Sequence, residues 1–189
     1  MFFQVLPQIK ANGINWFLIC IQKLQIMESD ERIQSHILSI WRESTKFLSI
    51  GGREGMLLLT DRHLMFVHKT EAKMKWWRAV TERQILNMLK TKNIMIQHDG
   101  YDQKNLMIDL ENKKNVELAF DDILKIDFEE KTWGSVLNLE YNKNGKDEKF
   151  QFSVAQDWVK YPAKNPMKFL RVDWKPFVQY IKDRQKLIP

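Results

Sequence analysis

The chain has 189 residues, a formal net charge of +6, and 44% apolar and 12% aromatic side chains. That is enough apolar matter for the core of one ordinary domain, so general disorder is excluded. A single cysteine, Cys20, rules out an internal disulfide and a cysteine-cluster zinc site, and no run approaches the ~18 apolar residues of a membrane-spanning helix.

Residues 1–26 read as an N-terminal extension ahead of a single domain over 27–189. Its most apolar run, Ile14 to Ile21, has Lys10 upstream but no small-residue cleavage site after it, so a secretory signal is not the expectation. From Ser29 the spacing predicts a helix. Ser29 or Asp30 caps its start, and Ile33, Ile37, Ile40 and Trp41 recur at i, i+4, i+7 and i+8 as one apolar stripe.

Strands follow. Phe47 to Ile50 reads as a short strand ended by Gly51 and Gly52. Glu54 to Thr60 and His63 to His68 flank the polar pair Asp61-Arg62, the pattern of a β-hairpin. Apolar residues in unbroken sequence from Met56 to Leu59 imply that both faces of that strand are covered. Residues 72–91 form the next helix, with Met74, Trp77, Ile85, Met88 and Leu89 on one broad face. Ile94 to His98 reads as a strand, and Leu106 to Leu110 fits either strand or helix.

Alternation then becomes regular. Val116, Leu118 and Phe120 share one face, as do Leu124, Ile126 and Phe128, then Leu137, Leu139 and Tyr141. A turn at Asn144-Gly145 leads into Phe150, Phe152 and Val154. Pro162 and Pro166 mark an extended basic connection to a closing helix. That helix is capped by Asp173 and carries Trp174, Phe177, Val178 and Ile181 at i, i+3, i+4 and i+7. The fold class is mainly β with α (α+β).

Little in the sequence points to catalysis. His63 and His68 are five apart on a strand and face opposite ways; His36 stands apart from both, and the polar residues after His98 match no metal-ligand spacing. Cys20 has no neighbouring base, and the glycines from 51 to 55 lack the Lys-Ser/Thr of a phosphate loop. A non-catalytic protein without a cofactor or metal is expected. Charge is more informative. Residues 71–100 carry six basic and three acidic side chains, residues 101–159 eight and thirteen, and residues 160–189 eight and two. Two clusters place cations beside aromatics: Lys73, Lys75 and Arg78 around Trp76, and Lys160, Lys164, Lys168 and Arg171 around Tyr161 and Phe169. Such clusters suit an anionic membrane, single-stranded nucleic acid or a protein partner.

The order of seven antiparallel strands and a closing helix resembles the pleckstrin-homology (PH)-like superfamily, in its GRAM-like and bacterial-type form. Glu54 to Val67 (EGMLLLTDRHLMFV) is similar to that family's early strand-turn-strand segment, and Val116 to Glu130 (VELAFDDILKIDFEE) to its later strand-corner-strand segment. The resemblance covers about 110 of the residues from Lys46 to Lys186, with 70–115 as a partly helical insertion between the third and fourth strands. It implies a seven-stranded barrel capped by the C-terminal helix, acting in the cytoplasm as an interaction module. The expected partner is a protein or a second copy of the chain, then an anionic membrane surface, with nucleic acid as the alternative. Phosphoinositide-binding members resemble one another in a basic motif over the first two strands. Here Lys46 and Arg53 fit it, but Gly55 stands where a further basic residue would be.

Overall fold

The computed structural model describes residues 31–45, 51–68, 74–101, 103–110, 112, 114–159 and 165–187; the N-terminal extension with Cys20 and the strand expected at Phe47 to Ile50 lie outside them. From Arg32 onward the described chain forms one compact unit. Its strands are β1 (Ile33–Ser44), β2 (Arg53–Thr60), β3 (His63–His68), β4 (Val116–Ala119), β5 (Ile123–Lys131), β6 (Gly134–Lys143), β7 (Lys146–Val159) and β8 (Asn165–Phe169). The helices are α1 (Met74–Thr91), α2 (Gln103–Leu110) and α3 (Lys175–Gln185).

Neighbouring strands run in the order β4-β3-β2-β1-β7-β6-β5, with every pair antiparallel and β8 added alongside β7. A single 3-10 turn, Phe120–Asp122, carries the chain from β4 directly into β5, so the two ends of the sheet path meet at a corner. The α3 helix lies over that corner. Its Gln185 amide donates to the Phe120 and Ile123 carbonyls, both at 2.9 Å. Trp174, Phe177, Val178 and Ile181 are all buried, as their spacing predicts, and join the barrel core with Leu57, Leu137, Phe152 and Val154. The result is an α+β architecture: a bent antiparallel barrel closed by its C-terminal helix.

The predicted turns are present. Thr60 Oγ1 accepts the backbone N–H groups of Arg62 and His63 at 3.2 and 2.7 Å and closes the β2–β3 hairpin. Asn144 and Gly145 adopt φ of 55° and 74°, the pair of left-handed residues that a two-residue hairpin of matching twist requires. Leu57 and Leu59 enter the core while Met56 and Leu58, facing the other way, are equally buried.

The helix expected from Ser29 is corrected: residues 33–44 are strand β1. Two bulges explain the false signal. Between Ile33 and Ser35, and again between Ile37 and Ile40, β1 holds one more residue than β2 opposite it. Each extra residue breaks strict alternation, so Ile37 and Ile40, three apart, both face the core. The result mimics a helical stripe. Ser39, at φ 59°, sits in the second bulge, where its Oγ donates to the Ala155 carbonyl at 2.7 Å and accepts from Trp158 Nε1 at 3.1 Å.

The insertion does separate β3 from β4. Helix α1 packs on the outer face of β1, with Trp77, Val80, Gln84 and Met88 buried. Leu89, expected on that face, is instead exposed. Gln84 holds the bulge: its Oε1 accepts from Leu38 N at 2.9 Å and its Nε2 donates to Leu38 O at 3.0 Å. The strand expected at Ile94 to His98 is corrected: the segment joins no ladder, its Ile96 N–H donates back to the Ile94 carbonyl at 3.0 Å, and its Ile96 carbonyl accepts from His36 N at 2.7 Å. Residues 103–110, left open between strand and helix, are helical. Two further corrections concern β5, where Leu124 and Phe128 are exposed; the bulge after Ile123 turns Leu124 outward, and β5 borders the sheet path. The extended basic connection contains β8, an eighth strand that its Pro166 hid.

Candidate functional site

The open end of the barrel is formed where β1 ends, β2 begins and β4 begins. Along β1 the core row runs Ile40, then Arg42, which pairs with Arg53 of β2 on one side and Phe152 of β7 on the other. A guanidinium thus occupies a position where the barrel elsewhere has aliphatic side chains. Only 8% of Arg42 is exposed, and its charge lies 4.3 Å from the Phe66 ring centre and 4.8 Å from that of Phe150. Both rings present their electron-rich faces to the cation. Its Nη1 makes no hydrogen bond to any described residue. Burial lowers the Arg42 pKa to about 10, which leaves it charged at neutral pH.

Arg42, Ser44, Gly51, Arg53, Lys114, Val116 and Phe150 line a basin of about 450 Å³ over this group. Lys114 is held at the rim by the turn ahead of β4. Asn112 Oδ1 accepts from Lys114 N at 3.0 Å, and Asn115 Oδ1 accepts from His68 N at 2.7 Å. The local field is positive. His68 is pushed below the usual histidine range by burial and then by Lys114 and Arg53. Beneath Arg42 the barrel leaves a void of only about 10 Å³ among Leu57, Leu64, Phe66, Leu139 and Phe152. The basin therefore has a cationic floor and does not lead into an acyl-sized cavity.

Gly55 takes on a different meaning here. A Cβ at that position would lie 2.3 Å from the Phe66 ring. The ring that crosses Gly55 is the one that cradles Arg42, so Gly55 leaves room for the cation on β1 rather than adding one on β2. Sequence reading missed Arg42 because residues 33–44 read as a helix. Read as a strand, the same residues would have placed Arg42 in the row of Ile40.

The residues singled out by charge are distributed over separate elements. Arg78 is exposed on α1 and pairs with Glu82 at 3.8 Å. Lys73, Lys160 and Lys164 lie outside the described residues, as do the side chains of Lys75 and Trp76. Lys168 is exposed on β8, and Arg171, also exposed, donates to the Thr132 carbonyl at 2.8 Å and faces Glu130 at 3.9 Å. Of the described ones, Arg78, Lys168 and Arg171 do not line the basin; of the basic residues noted in the first two strands, Arg53 does, and Lys46 lies outside the described residues. No group of three or more metal-ligating side chains occurs among the described residues, and no helix there is long and apolar enough to cross a membrane.

No protein-family model matches the chain, and no curated protein matches it. Among solved structures, it is similar to the hSac2 domain from human phosphoinositide phosphatase Sac2, at 8% identity and a TM-score of 0.44, over 96% of this chain and 86% of that one. It is also similar to the Vps36 N-terminal PH domain, at 12% identity and a TM-score of 0.43, over 86% of this chain and 84% of that one.

Proposed function

We propose that the protein is a non-catalytic PH-like interaction module whose open end binds a phosphorylated anionic group. The observation that carries this reading is Arg42: a charged guanidinium, almost wholly buried, with one nitrogen unbonded at the floor of a basin rimmed by Arg53 and Lys114. A buried guanidinium with an unsatisfied donor is costly, even with the Phe66 and Phe150 rings against it and the charge of Glu148 nearby. An oxyanion entering the basin would supply the missing acceptor, and Arg53 and Lys114 would add charge-assisted contacts from the rim. A fork of guanidinium donors matches phosphate oxygens better than a point charge does.

Calorimetric titration with inositol trisphosphate at low salt tests the reading. The wild-type protein is expected to bind. Arg53→Glu and Lys114→Glu alter exposed side chains, so they should keep the wild-type melting temperature while weakening affinity at least tenfold each. Equal affinity in wild type and both variants would reject the basin as the site. Affinity should also fall as salt rises, because exposed rim charges are screened over about 10 Å at 0.1 M.

A further inference from the structure

A second surface lies at the other end of β6 and β7 from the Lys143–Lys146 turn, independent of the basin. The β5–β6 turn places Trp133 at its tip, 47% exposed, and Met167, 68% exposed, lies on β8 two residues before Phe169. Phe169 of β8 meets the turn, its ring centre 4.8 Å from that of Trp133. The rest of the chain holds these residues firmly in the open. Arg171 donates to the Thr132 carbonyl at 2.8 Å, and Leu170 accepts from Ser135 N at 3.2 Å, so the turn is fastened to β8 from both sides. Gly134 permits the approach: a Cβ there would come within 2.9 Å of Phe169 Cβ and 3.2 Å of the Leu170 carbonyl. Cations flank the apolar tip, with Glu129 and Glu130 between them and Asp157 opposite Lys168 in the β7–β8 ladder. Lys131 Nζ is 5.8 Å from the Trp133 ring centre, and Lys168 and Arg171 are exposed on and just after β8.

We propose that Trp133, Met167 and Phe169 form a shallow docking site for an anionic membrane surface. Trp133 and Met167 would enter the interfacial layer, and Lys131, Lys168 and Arg171 would meet lipid phosphates. Two arguments select this occupant. The exposed apolar area is on the order of 300 Å², well short of the roughly 800 Å² per partner that a stable protein interface needs. Tryptophan with lysine and arginine is the composition favoured at the headgroup boundary, where the indole has an apolar body and a polar edge. Lys131 and Arg171 each face one carboxylate, Glu129 at 3.1 Å and Glu130 at 3.9 Å, and these exposed pairs exchange readily for lipid phosphates. Docking through this tip leaves the Arg42 basin turned away from that bilayer and free for its own ligand.

Co-sedimentation with vesicles of 80:20 phosphatidylcholine and phosphatidylserine, against pure phosphatidylcholine, tests the site. Wild type is expected to bind only the anionic vesicles. Trp133→Ser and Met167→Ser should each lower binding at least tenfold, and Lys168→Ala roughly fivefold, the worth of one lysine at an anionic surface. Arg53→Glu should bind the vesicles as wild type does. Met167→Ser carries the test if Trp133→Ser proves to be misfolded by circular dichroism. Absence of wild-type binding overturns the proposal. So does binding that Arg53→Glu abolishes and the tip variants leave intact, an outcome that would assign the membrane to the basin and preserve the reading of that site.

Discussion

Arg42 sets stability against binding at a single residue. Its guanidinium is buried with Nη1 unbonded to any described residue, and burial, with Arg53 beside it, lowers its pKa to about 10 against the opposing pull of Tyr141 and Glu148. Methionine would fill a similar volume beside Phe66 and Phe150 without the cost of burying a charge. Arg42→Met is therefore expected to raise stability by about 1–3 kcal/mol in urea denaturation while abolishing inositol trisphosphate binding. A variant less stable than wild type would mean that the cation is well paired in the free protein. Phe152 and Gln151 give the complementary test of register. Phe152 is buried in the core, so Phe152→Ala should cost roughly 3–5 kcal/mol. Gln151 faces outward and its amide donates to Asn138 Oδ1 at 3.0 Å, so Gln151→Ala should cost at most about 1 kcal/mol. Similar melting shifts for the two would disprove the pairing of β7 with β1 and β6.

At the scale of elements, the insertion is fastened to β1 by a few polar contacts that are individually decisive. Gln84 satisfies both backbone groups of Leu38 inside the bulge. Gln84→Ala would orphan them, and a loss of about 1–3 kcal/mol is expected in chemical denaturation. Trp77, fully buried on the same face, should cost about 3–5 kcal/mol when changed to alanine. His36 adds a pH dependence. Its Nδ1 accepts from His98 N at 3.2 Å, and its ring meets Tyr101 edge-on at 5.7 Å, while Tyr101 donates to Asp109 at 2.7 Å. Burial, and then the nearby His98, lower its pKa from 6.5 to about 4; His98 is itself lowered by burial and by Arg83, against the opposing pull of Asp99. A folded pKa below the unfolded one means that the unfolded chain takes up the proton first. The contribution is full above pH 6.5 and is lost as pH falls toward 4, by about 3 kcal/mol in all. His36→Gln keeps an acceptor and cannot titrate, so its stability should lose this part of the slope between pH 7 and 4. An unchanged slope would show that His36 is not the group responsible.

Across the whole molecule, the legible parts were those where local pattern and tertiary role coincide. The β2–β3 hairpin, the Asn144-Gly145 turn, β6, β7 and the C-terminal helix all follow from alternation, turn chemistry and one apolar stripe. The strand β1 was illegible because its bulges are specified by what lies against it: Gln84 from α1 and the Ala155 carbonyl from β7, 46 and 116 residues further along the chain. No local window contains those partners. The basin was illegible for the same reason, since it depends on Arg42 being in a strand, whereas Arg53 could be read from its own position. The position of β1 also has a temporal consequence. Among the described residues it is the one strand joining β2–β4 to β5–β7 in the sheet, and its second edge pairs through contacts such as Ile40 with Val154. Hairpins on either side can form as soon as they are made, but at 5–20 residues per second the ribosome needs roughly 5–20 s to travel from one member of that pair to the other. For that interval the nascent chain presents an apolar strand with one edge unclaimed, and the closing of the barrel waits on the last third of the sequence. Folding should therefore be limited by β1–β7 docking, and any factor that shields an edge strand during synthesis would act on this segment first.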